Sequence, residues 1–324
     1  MSATFAYYPG CSLQSTEKEY NTSLQLVAQA LDHKLEEIPD WLCCGATSAH
    51  SIDHALATAL AGDTLAKAQD AGHDKILAPC AMCYSRLATT LHQIKENPAK
   101  AASLEKALQR EKSGLANMRA LSILDWAREL SDEEILAPIK QKFNGLKVAC
   151  YYGCLLVRPQ KVTQVRNAEV PQGLERIVRL LGAEPVEWTM ATACCGASFS
   201  LSDKPSVFRL GRRIVESALK AGAEAIIVAC PMCHTNLDMR QTEFQAGGDF
   251  IPAVFITQLM GLAYGFSAKE LGLDGNFVSA DVLIDALKNA EDDAANTSSN
   301  KAVQKAENKT ESKAEGKAEG KAES

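Results

Sequence analysis

Positive charge and aromatic residues are both scarce in this sequence. Lys and Arg number 34 against 40 Asp and Glu, giving a net charge of −6, and only 6% of residues are aromatic. A deficit of that sign, with the basic residues scattered, excludes a basic nucleic-acid-binding face as the main use of the surface. Export signals are lacking too: MSATFAYYPGCSLQ carries no basic segment, no apolar core and no cleavage site, so a cytoplasmic protein is expected. Long apolar runs are rare. The least polar, FIPAVFITQLMGLAYGFSA (250–268), holds Pro252, Thr257, Gln258, two glycines and Ser267. That is poor chemistry for a lone membrane span of about 20 residues, and a buried strand and helix is expected instead.

What is abundant is cysteine. Eleven cysteines stand in 324 residues, with 46% hydrophobic residues to build packed cores. In a reducing compartment, clustered cysteines point to metal ligation or redox chemistry rather than to structural disulfides.

The cysteines belong to a repeat. AGHDKILAPCAMCYSRL (71–87) matches AGAEAIIVACPMCHTNL (221–237) without a gap, and the CCGA strings of WLCCGATSAH and ATACCGASFS match at an offset of 151. AYYPGCSLQ (6–14) matches CYYGCLLVR (150–158), and LSILDWAREL (121–130) echoes VFITQLMGLA (254–263). The chain reads as a tandem duplication, residues 1–144 and 145–290, with like sites expected to face each other. Residues 291–324 are different: a KAEG/KAES repeat almost without large apolar side chains, expected to be a disordered tail.

Short β-rich apolar runs, ATFAYY, KILA, LKVACYY and AIIVA, alternate with helical patterns such as NTSLQLVAQALD and PSVFRLGRRIVESALKAG. LEEIP and PVEWTM are weaker strand candidates. Alternation of this kind predicts an α/β fold with a parallel sheet in each half. Every cysteine motif then follows a candidate strand and precedes a helix, so motifs remote in sequence converge at the carboxyl edge of a sheet. Helix N-termini at that edge favour thiolates.

The spacings narrow the chemistry. Cys11, Cys43, Cys44, Cys80 and Cys83 are separated by 31, 0, 35 and 2 residues, and Cys154, Cys194, Cys195, Cys230 and Cys233 by 39, 0, 34 and 2. Structural zinc takes four ligands, which leaves one thiolate surplus in each half. A dithiol catalyst needs only the CxxC, leaving the vicinal pairs unexplained. An iron–sulfur cluster draws thiolates from distant loops and fits best, and five of them suggest a cluster larger or more unusual in shape than a cubane. Cys150 stands outside both sets, in an apolar strand, and is expected to be an inert buried thiol.

The doubled arrangement, with VACYYGCLLVRPQ, CCGASFS, ACPMCHTNL and AVFITQLMGLAYG, resembles the CCG-domain family, most closely the B-subunit family of heterodisulfide reductases, over about residues 3–290. The resemblance implies two pseudo-symmetric Rossmann-like CCG domains, each holding a noncubane four-iron, four-sulfur cluster. Cys11, Cys43, Cys44, Cys80 and Cys83 would bind one; Cys154, Cys194, Cys195, Cys230 and Cys233 would bind the other. It further implies an oxidoreductase that cleaves a small-molecule or protein disulfide between the clusters. Its electrons would come from an iron–sulfur subunit fed by a flavin subunit. Within the same family an electron relay of a flavin dehydrogenase or of a quinone-linked fumarate or succinate dehydrogenase-like complex is the alternative. A zinc-stabilised scaffold is the alternative of another class. No catalytic side chain beyond the ligands is required.

Other residues carry weaker expectations. Gly45 and Gly196 suit the tight turn that consecutive ligands need, and Gly10 and Gly153 do likewise. His234 and His50 stand near the cysteines but read first as ordinary helix-start histidines, and Arg158 and Lys161 as solvated charges.

Overall fold

The computed structural model describes residues 3–46, 48–110, 114–245 and 248–287. The expected tail at 291–324 lies outside the described residues.

Two parallel four-stranded sheets carry the chain. The first is built from β1 (Ala3–Tyr7), β2 (His33–Glu37), β3 (Lys75–Leu77) and β4 (Arg119–Leu121), in the order β2-β1-β3-β4. The second, from β5 (Lys147–Tyr151), β6 (Glu184–Pro185), β7 (Ala225–Val228) and β8 (Ala253–Phe255), repeats that order as β6-β5-β7-β8. Corresponding strands pair alike: Tyr7 stands opposite Leu77, and Tyr151 opposite Val228. The central strands are the apolar ones because helices cover both faces, and all four residues of β7 are buried. In each sheet the chain adds β2 or β6 on one side of the first strand and β3 or β7 on the other. That reversal opens a crevice at the carboxyl ends of β1/β3 and of β5/β7.

The α/β architecture with two parallel sheets is as the alternation predicts, and several helices stop where expected. Helices His54–Asp70, Gly173–Leu180 and Lys204–Lys220 each end just before a glycine with positive φ: Gly72, Gly182 and Gly222. The weak strand candidates differ: LEEIP falls in the five-residue β2, as long as any strand in either sheet. PVEWTM yields only the two-residue β6, at a sheet edge where the missing N–H of Pro185 is tolerated. β4 is three residues with a charged first position, too brief to stand out in the sequence. Cys154 also departs from expectation, since it opens a single turn rather than a helix. Val157 and Arg158 donate to its carbonyl, but Pro159 has no N–H with which to continue the ladder.

The halves share one core. Tyr20, on helix Lys18–Ala30, stacks on Phe255 at 4.0 Å, and Ser23 Oγ lies 2.7 Å from Thr257 Oγ1. Helix Ile256–Ala263, from the least polar stretch of the sequence, is buried at all eight positions against that helix. Among the described residues no helix is long and apolar enough to cross a membrane.

Candidate metal centre

Each sheet delivers its cysteines to the same edge. Cys11 lies in the first turn after β1, Cys43 and Cys44 follow β2, and Cys80 and Cys83 open helix Ala81–Glu96 after β3. In the second half Cys154 follows β5, Cys194 and Cys195 follow β6, and Cys230 and Cys233 open helix Pro231–Leu237 after β7. Cys44, Cys80, Cys83, Cys195, Cys230 and Cys233 are buried, Cys154 is half-buried, and Cys11, Cys43 and Cys194 are exposed. Each group therefore has a buried CxxC end and an open outer end.

The sulfurs touch in sequence. Hydrogen bonds from the Cys43 and Cys83 thiols pull Cys44 down to about 3 against the effect of burial, helped by the Ala46 amide and the Arg86 charge. The Cys154 thiol draws Cys194 down to about 6, with the Gly196 amide donating at 3.3 Å. Cys195 Sγ lies 3.5 Å from Cys233 Sγ. The two halves meet at Cys80 and Cys230: their bond pushes Cys80 up, while the Cys233 and Cys80 thiols hold Cys230 well below the usual thiol range. Neutral thiols share protons this way because adjacent thiolates repel. A cationic centre would let all of them ionise.

Backbone geometry supports the crowding. Gly10 and Gly153 have φ of +68° and +64°, and a Cβ on them would meet Cys83 Sγ at 2.8 Å and Cys233 Sγ at 3.2 Å. Glycine therefore serves twice there, in conformation and in clearance. Gly45 and Gly196 share the positive φ directly after each vicinal pair.

Cys150 is placed apart. It is buried in β5, and its thiol is pushed up by burial and by Glu175, with no contribution from another cysteine. His234 is more than a helix-start histidine. It is buried, stacked on Phe255 at 4.5 Å, and its Nδ1 lies 2.7 Å from Oε2 of Glu17 in the other half. Arg158 pairs with Glu169 and donates to the Thr192 carbonyl, and Lys161 is exposed. The sequence reading missed Glu17 and Arg86. Neither lies in a cysteine motif, and only the packing of the halves brings Glu17 to His234.

Comparisons with known proteins give the family. The model of the CCG cysteine-rich domain matches residues 5–88 and 148–238. The chain belongs to the CCG cysteine-rich domain family. It is 30% identical over 286 residues to an 8-methylmenaquinol:fumarate reductase membrane anchor subunit of Wolinella succinogenes, covering 87% of this chain and 100% of that one. It is 31% identical over 288 residues to the B-subunit of a CoB-CoM heterodisulfide reductase of Methanosarcina acetivorans, covering 85% and 94%. A hypothetical protein of Helicobacter pylori has the same fold, with a TM-score of 0.67 and 12% identity over 86% of this chain and 52% of that one.

The CCG donor set suits a cluster better than a single ion. Ligands of one tetrahedral zinc crowd together at Zn–S distances of about 2.3 Å. Among the described residues, no three cysteine sulfurs lie within 4.8 Å of one another. The one group that does, Glu17, Glu19 and His234, lies between the halves and has Glu17 already bonded to His234 and Thr235. Five sulfurs spread along a crevice are consistent with an iron–sulfur cluster.

Proposed function

We propose that this chain is the iron–sulfur subunit of a heterodisulfide reductase-like complex and reduces a disulfide, RS–SR′ + 2e⁻ + 2H⁺ → RSH + R′SH. Cys11, Cys43, Cys44, Cys80 and Cys83 hold one noncubane cluster, and Cys154, Cys194, Cys195, Cys230 and Cys233 the other, in halves running 1–144 and 145–290. Such clusters supply one-electron chemistry, so two of them match a two-electron reaction. The observation that carries the reading is the meeting of two complete five-cysteine groups at Cys80 and Cys230. Gly10 and Gly153 let the backbone close on the CxxC sulfurs, and the Tyr20–Phe255 stack fixes one half against the other. The outer ends at Cys11, Cys43 and Cys194 stay open to a ligand or a partner. An iron–sulfur subunit and a flavin subunit are the partners this reading requires.

A second reading, an electron relay in a quinol- or flavin-linked complex, is favoured by the end-to-end match to the fumarate reductase subunit of Wolinella succinogenes. One experiment separates the two. Protein purified anaerobically should hold about eight irons per chain. Given reduced viologen, it should consume viologen in proportion to added disulfide. Iron at that level without disulfide-dependent turnover sinks the reductase reading in favour of the relay. Stoichiometric zinc without iron sinks both.

A further inference from the structure

One position beside the cysteines carries a charge in the first half and a neutral amide in the second. Each CxxC opens a helix, and one turn beyond its last cysteine stand Arg86, on helix Ala81–Glu96, and Asn236, on helix Pro231–Leu237. The gapless match pairs these two residues. Each acts on the second cysteine of the vicinal pair in its own half. Asn236 is fully buried, and its Nδ2 donates to the Cys195 carbonyl at 3.2 Å and to Cys195 Sγ at 3.6 Å. The Arg86 charge acts on Cys44. Nη1 of Arg86 donates to His50 Nδ1 at 2.7 Å, and its Nε is buried without a partner among the described residues.

Other contacts at the cysteines are shared. The hydroxyl of Tyr8 donates to the Leu42 carbonyl and that of Tyr151 to the Ala193 carbonyl, both at 2.7 Å, so the residue before each vicinal pair is held alike. His234, which follows the second CxxC, is bonded to the Glu17 carboxylate and offers no uncompensated charge to match that of Arg86. What distinguishes the halves is a full charge against a dipole.

We propose that Arg86 and Asn236 set the reduction potentials of the two centres, and that the charge of Arg86 puts the first-half centre at the higher potential. The inference rests on the iron–sulfur part of the proposed function and adds to it the order in which the halves fill. Reduction adds one electron to a centre, with no bond made or broken, and the electron comes from the iron–sulfur partner subunit. A nearby cation, or a donor to a ligand sulfur, stabilises the added negative charge and raises the potential. Charge-assisted interactions are roughly twice as strong as neutral ones, so Arg86 outweighs Asn236. Solvent acts in the same direction, since Cys11 and Cys43 are exposed in the first set and only Cys194 in the second. The first electron therefore rests on the first half.

The test uses the full chain prepared anaerobically, with iron counted in every sample, and redox titration followed by electron paramagnetic resonance. Neighbouring centres repel each other's electrons, so each is measured alone: Cys195→Ala keeps the first, and Cys44→Ala keeps the second. At a common potential the first centre should show a reduced-to-oxidised ratio about tenfold larger, equivalent to about 59 mV for one electron. Added to Cys195→Ala, Arg86→Gln should remove most of that excess, and Arg86→Lys, which keeps the charge, should retain it. Added to Cys44→Ala, Asn236→Leu should lower the ratio about threefold, as loss of one neutral hydrogen bond does. Equal potentials in the two single-centre proteins overturn the proposal, as does Arg86→Gln or Asn236→Leu titrating like its parent. If Asn236→Leu loses its iron, the two Arg86 variants decide alone. Failure of the iron–sulfur reading shows separately, in the iron count of the unaltered protein.

Discussion

The two halves of this protein share a strand order, a set of five cysteines and the glycines that let the backbone close on them, yet they stand in different surroundings. Beside the first CxxC are Tyr84, which bonds Asp125 of its own half, and the guanidinium of Arg86. At the matching positions beside the second are His234, which reaches Glu17 across the interface, and the inward amide of Asn236. Duplication kept the five cysteines of each set, as the proposed centres require. It left the neighbours free to diverge, and they diverged in charge and in which half they bind. The first cysteine set stands beside the Arg86 guanidinium, which acts on Cys44; the second is tied to the other half through His234 and Glu17.

The hardest blow to this comparison comes from the vicinal pairs. Cys44→Ala and Cys195→Ala should each remove about half of the iron, and each should abolish viologen-driven disulfide reduction as fully as the double variant, because the losses are not additive when two sites act as one. Substantial turnover in either single variant would show that one half works alone, which describes a relay. Next in size is the interface. Glu17→Ala leaves His234 and Thr235 without their buried partner and should cost about 3 kcal/mol in chemical denaturation. Tyr84→Phe, its counterpart within the first half, should cost about 1 kcal/mol, the value of one ordinary hydrogen bond. Equal costs would mean that the inter-half pair contributes nothing special.

A smaller effect separates the glycines. Alanine at Gly10 would bring its Cβ to 2.8 Å from Cys83 Sγ, whereas alanine at Gly153 would lie 3.2 Å from Cys233 Sγ. Both positions have positive φ, so both variants are strained by about 1 kcal/mol or more. The difference lies in the sulfur contact. Iron occupancy after reconstitution should fall further in Gly10→Ala than in Gly153→Ala, and the reverse order would show that backbone strain, not crowding of the sulfur, governs loading.

Much of this was legible in the sequence, for identifiable reasons. The CxxC motifs sit on the helices after β3 and β7 because an apolar run followed by a helical pattern admits few other readings. The repeat itself anticipated the shared strand order. What stayed hidden depends on packing between remote segments. Nothing near Glu17 announces a buried carboxylate; it becomes one only because helix Lys18–Ala30 docks on helix Ile256–Ala263. Arg86 reads as one of many scattered charges until packing sets its guanidinium beside Cys44. The missing helix after Cys154 depends on Pro159, whose effect is easily overlooked when the repeat suggests that both halves continue alike.

Cys150 gives the mildest test and the cleanest one. In the match of AYYPGC to CYYGC it corresponds to Ala6, and both are fully or almost fully buried in the first strand of their sheets. Cys150→Ala therefore makes the second half more like the first at a position where the first already functions with a methyl group. The sulfur removed is small, and the cavity left should cost under about 2 kcal/mol. Iron content should not change, since no other cysteine acts on this thiol; the Cys150 carbonyl accepts from Trp188 Nε1 at 3.1 Å. Loss of half of the iron on this substitution would mean that the second centre takes Cys150 in place of Cys154, and that the two halves hold their metal with different sets of cysteines.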